Sequence, residues 1–241
     1  MKKFAVLMLI FCICLSGCRK TAAEPAVMTC GEFSVTNTDF AYYYWTEVHY
    51  YYDLAESGEF KQFGVDMTQP LDAQMYDETT TWQDHMTQNT IEMVKETMAL
   101  VFAAQEEGFA MPESYETSID EIMSNFSSMA EAEDKKMDAY LQSLYGKDAS
   151  EETFRTYLGY TYLASAYADE LYSRITPPTQ EQVEQYHKQN LEYYGEDGLE
   201  KARKDLQKDE YNNAIARCKA QYPFTVNQEQ ICITAPEGLY K

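Results

Sequence analysis

The chain has 241 residues, 40 acidic against 19 basic, and a net charge of −21. That balance argues against nucleic acid and anionic lipid head groups as partners. Three scattered histidines, and cysteines without a C-x-x-C pair, do not make a zinc site, and no Gly-rich phosphate loop or nucleophile elbow is present.

The first residues carry an address. Lys2-Lys3, an apolar run from Phe4 to Leu15 and the small residues Ser16-Gly17 precede Cys18. A charged start, a short apolar core and small residues at a cut site make an export signal. The run is well short of the ~20 residues that span a bilayer. With cysteine next, the segment resembles a bacterial lipoprotein signal, which implies cleavage after residue 17 and lipid on Cys18. The remaining chain then holds 17 basic and 40 acidic residues, a charge of −23. It is expected on the extracytoplasmic face of the cell membrane, held by acyl chains.

Residues 18–27 read as a tether. Met28 to Val35 reads as a short β piece with a turn at Gly31, and 36–39 offers helix N-caps. The next helix carries Phe40, Tyr42, Tyr43, Tyr44, Trp45, Val48, Tyr50, Tyr51 and Tyr52 with no polar stripe. Such a helix is either wrapped by others or offers an aromatic face to a partner. Residues 57–70 form a loop. A long helix is expected from about Asp77 to Glu107, with Trp82, Met86, Met93 and Met98 among its apolar positions and Gly108 as its stop. Pro112 opens the next helix, which carries Met123 and Phe126. An acidic helix from about 132 to 144 and a helix from Glu151 to Ser173 follow. Pro177-Pro178 breaks the chain. Thr179 with Gln182 makes a capping box for a helix running to Tyr194. Gly195–Gly198 is a hinge, Leu199–Gln221 a further helix, and the remainder is extended.

The methionines suit irregular core gaps and surfaces that bind many shapes alike. Tyr43, Trp45, Tyr51, Trp82, Met86, Met93, Met123 and Phe126 are the candidate client-binding set. The histidines, His49, His85 and His187, fall in different elements and suggest no catalytic group. No cofactor and no metal are expected.

The order of segments carries a family resemblance. Val35-Thr-Asn-Thr-Asp-Phe40 before a tyrosine-rich helix, Ala103-Ala-Gln-Glu-Glu-Gly108, Asp148-Ala-Ser-Glu-Glu-Thr-Phe154, Ile175-Thr-Pro-Pro-Thr179 and the closing segment Leu199 to Ile233 resemble the SurA/PrsA-type extracytoplasmic foldases. The resemblance implies a mainly α, multi-helix chaperone core with a small, two-stranded β element formed by the N- and C-terminal extended segments. Residues 28–194 would form its first part and 195–241 the helix and strand that complete the same domain. In that family a parvulin prolyl isomerase domain sits between the last two segments. Here Tyr193 to Gly198 joins them directly, so no catalytic residue carries over. The implied activity is an ATP-independent holdase for unfolded secreted polypeptides. The alternatives are a divergent peptidyl-prolyl isomerase and an adaptor that grips one defined partner. Because the family's first and last extended pieces meet, Cys30 and Cys232 are a possible disulfide, with two free thiols as the alternative.

Overall fold

The computed structural model describes residues 24–57, 65–66, 68–237 and 239. The signal segment and Cys18 lie outside them. The fold is mainly helical, with a small antiparallel sheet built from both ends of the chain. Strand β1 (Ala26–Cys30) is central. It pairs with β2 (Phe33–Thr36) on one side and β3 (Thr225–Val226) on the other. Gly31, at φ +58°, makes the hairpin turn, a conformation that costs glycine little. The element therefore has three strands, where two were expected, because the hairpin supplies two by itself. Strand β1 also starts inside the segment expected as tether: Val27 is fully buried, and Glu24 accepts hydrogen bonds from the Thr38 amide and hydroxyl.

Helix α1 (Asn37–Ser57) begins at a reciprocal cap. The Thr36 hydroxyl accepts the Asp39 amide, while the Asp39 carboxylate accepts the Thr36 amide. Phe40, Tyr42, Tyr43, Tyr44, Trp45 and Val48 are all buried, so the first half of α1 is wrapped by its neighbours. Its second half emerges, and Tyr50 is exposed.

Helix α2 (Trp82–Glu106) is the hub, packed against α1, α5 (Glu151–Ser173) and α8 (Leu199–Gln221). It starts five residues later than the apolar spacing suggests. Asp77 accepts the Thr79 and Thr80 amides, and this local turn outcompetes helix before the Thr81–Asp84 capping box. Helices α3 (Glu113–Ala132) and α4 (Met137–Tyr145) replace the single boundary expected near 132. Asp134 takes a left-handed turn, φ +54°, and separates them by four residues.

The core is aromatic. Tyr42 lies 5.0 Å from Tyr145, 5.6 Å from Phe154 and 5.3 Å from Tyr157. Ring pairs of this kind add about 0.5–1.5 kcal/mol each beyond simple burial. The Tyr42 hydroxyl also accepts the Ser150 amide at the N-cap of α5, which ties α1 to the start of that helix.

Cys30, Cys218 and Cys232 are free thiols, so the Cys30–Cys232 disulfide is not formed. Register is the reason. Thr29 pairs with Thr225, which sets Cys30 across from position 224. Cys232 lies beyond the far end of β3, where its amide donates to Asn37 Oδ1 at the head of α1.

Candidate functional site

Two prolines shape a concavity among the described residues. Pro177-Pro178 cannot continue α5, so the chain turns back and starts α6 (Gln180–Gln189) at Thr179. The Thr179 hydroxyl accepts the Gln182 amide, and Gln182 Oε1 accepts the Thr179 amide at 2.8 Å. Helix α6 then packs against the first half of α8. Val183 and Ala202 are fully buried. Beyond Asn190, a single turn, α7 (Leu191–Tyr194), leads to Gly198. A side chain at Gly198 would lie 2.3 Å from the Tyr194 carbonyl oxygen, so only glycine permits this close return. The Tyr186 hydroxyl donates to Asp209 and the Tyr194 hydroxyl to Asp205, at 2.8 and 3.0 Å. Arg203 donates to the Pro178 carbonyl. These bonds hold α6 and α7 as an arm on α8.

The second half of α8 packs on α2, where Lys219 pairs with Glu92 and the Tyr222 hydroxyl donates to Glu106. Helix α8 thus spans body and arm, and a groove of about 690 Å³ opens between them. Leu171, Ile175, Leu206 and Ala214 give it apolar surface, while Gln182, Gln185 and Gln189 line the α6 side. A smaller cavity of about 370 Å³ adjoins it and shares Leu171, Ala214 and Arg217. It extends the groove to Cys218, Gln221 and Tyr222. From Leu206 to Tyr222 the α8 wall is about 24 Å long, at ~1.5 Å per residue.

An ion-pair clamp lies at one edge of the groove, and Glu210 and Arg217 line it from α8. Arg174 donates to Glu107 at 2.7 Å and to Glu170 at 2.9 Å, joining the ends of α2 and α5. The bond from Arg174 holds the Glu107 carboxyl below its usual range. Burial, then the Glu107 hydrogen bond, pushes Tyr167 up to about 12. Burial also raises the Cys218 thiol, which keeps it protonated and unreactive. The groove therefore offers apolar surface and neutral donors and acceptors, with the charged side chains Glu210 and Arg217 on its α8 wall.

The aromatic and methionine set singled out from the sequence lies elsewhere. Tyr43, Trp45, Trp82, Met86 and Met123 are at most 8 % exposed and belong to the core. They cannot form a contact surface in this conformation. Tyr51 and Phe126 are half-buried against that core, and Met93 is 39 % exposed on α2. None of the eight lines the groove. Helical spacing identified buried faces, and a buried face is what large apolar side chains at that spacing usually mean. The groove residues were passed over because glutamine and proline read as polar surface and helix breaker. The signal available was an uncharged face on α6: positions 182, 185, 186 and 189 carry no charge, whereas 181, 184 and 188 do.

The three histidines have different partners. The His49 ring meets the Leu144 carbonyl, His85 stacks on Tyr76, and His187 meets the Gly195 carbonyl. Among the described residues, no three His, Cys, Asp or Glu side chains gather as a metal cluster, and no helix is long and apolar enough to cross a membrane.

No protein-family model matches this chain, and no curated protein or solved structure matches it.

Proposed function

We propose that this protein is a lipid-anchored, ATP-independent holdase that binds unfolded segments of secreted polypeptides in the groove along α8. The observation that carries the reading is that concavity, open at the surface, lined by apolar, neutral-polar and a few charged side chains, and long enough for an extended chain. Pockets lined by apolar side chains with a few polar groups are the usual form of a binding site. The SurA/PrsA-type order of segments supports the class, and the lipoprotein-like signal ending at Cys18 supports the location. The net charge keeps a loaded complex dissolved. Binding only the unfolded client lowers its free concentration and slows its aggregation.

The lipid-free protein, starting at residue 19, should suppress light scattering of a chemically unfolded secretory protein at several-fold molar excess, without nucleotide. Unchanged scattering at that excess would contradict the holdase reading. A proline-peptide isomerisation assay run in parallel should give the background rate.

A further inference from the structure

We propose that the α6 wall recognises the main chain of an extended polypeptide segment through the side-chain amides of Gln185 and Gln189. This rests on the groove being the client site and adds what the groove reads. Charge is absent from the groove-facing side of α6, while Glu181, Glu184 and Lys188 occupy its other positions. Arg174, a cation beside this wall, is committed to Glu107 and Glu170, and Glu210 and Arg217 line the groove from α8. The peptide groups of a segment laid against this uncharged wall still need partners.

The glutamines supply them. Each primary amide has both a donor and an acceptor. Gln182 uses its oxygen on the Thr179 amide, whereas Gln185 and Gln189 form no hydrogen bond among the described residues. Four helical residues place these two about 6 Å apart along α6. An extended chain presents an N–H and a C=O on the same edge at every second residue, about 6.6 Å apart. Each glutamine therefore faces one such pair, as a neighbouring strand would. Leu171 and Ala214 meet the side chains on the other side of the segment. The full groove accommodates about seven extended residues, from ~24 Å of wall at ~3.3 Å per residue. Selection falls on extension rather than on sequence.

The test is fluorescence anisotropy with a labelled, acetylated and amidated heptapeptide of Leu, Val, Phe and Ser, and with its analogue N-methylated at two alternate residues. Both are titrated with wild type and with the double variant Q185L/Q189L, whose exposed positions leave the fold intact by circular dichroism. The variant should bind the unmodified peptide about tenfold more weakly, although its groove is more apolar, since two hydrogen bonds are lost. N-methylation should weaken binding to wild type by a similar factor and change little in the variant. Equal or tighter binding by the variant, or an equal N-methylation penalty in both proteins, overturns the main-chain role and leaves the holdase reading standing. No binding of the unmodified peptide to wild type overturns both.

Discussion

Glu47 sits half-buried on α1, where its carboxylate accepts from Asn89 at 3.2 Å and from the Thr90 hydroxyl at 3.5 Å. Burial raises its pKa above the ordinary 4.5, and the two hydrogen bonds only partly offset this. The folded state therefore holds this proton more tightly than the unfolded chain does. Its stabilising contribution is complete below pH 4.5 and fades as pH rises through the folded value. Glu47→Gln should flatten that part of the stability curve, read as urea midpoints between pH 4.5 and neutrality. A variant curve parallel to wild type would contradict it. Gly159 poses a second question at this scale. It lies inside α5, and a side-chain carbon there would meet nothing within 4 Å. Gly159→Ala should stabilise the protein by roughly 1 kcal/mol, the helix-propensity difference, and raise the urea midpoint accordingly. A lowered midpoint would show that the open space is required. Both residues were invisible as special cases in the sequence, because burial and empty space are properties of packing.

At the level of elements, local chemistry settled some boundaries and left others open. The ends of α5 and α8 and the start of α6 were legible, since Ser150 and Thr179 are strong caps and Gly195–Gly198 is a clear interruption. The start of α2 was misjudged because an aspartate turn at Asp77 competes with an apolar pattern that runs through it. The gap between α3 and α4 was missed because it depends on one left-handed aspartate. The arm of α6 and α7 is held to the rest largely through α8, so it is the unit expected to open first. Gly198→Ala forces a carbon against the Tyr194 carbonyl and should loosen that unit alone. Hydrogen exchange by mass spectrometry should show faster exchange over 180–205 with α2 and α5 unchanged. Uniform acceleration across the protein would mean that the arm is not a separate unit.

For the molecule as a whole, charge and architecture divide the labour. Residues 24–179 hold 29 acidic and 7 basic side chains, whereas 180–241 hold 11 and 8. The strongly acidic body repels its own copies, and the nearly balanced arm and α8 line the groove. The helical class was legible in the spacing of the apolar positions, and the meeting of the ends in a small sheet was what the family resemblance implied. Neither disclosed the groove, which is made by the angle between an arm and a body rather than by any greasy run. The most direct measurement is photo-crosslinking of an unfolded secretory client from single benzoylphenylalanine substitutions. One replaces Ala214 on the α8 wall, and the other replaces Asn125 on the exposed side of α3. The account predicts strong adducts from 214 and few from 125, with apolar heptapeptide competing the former away. Equal labelling from both sites, or labelling from 125 alone, would contradict it.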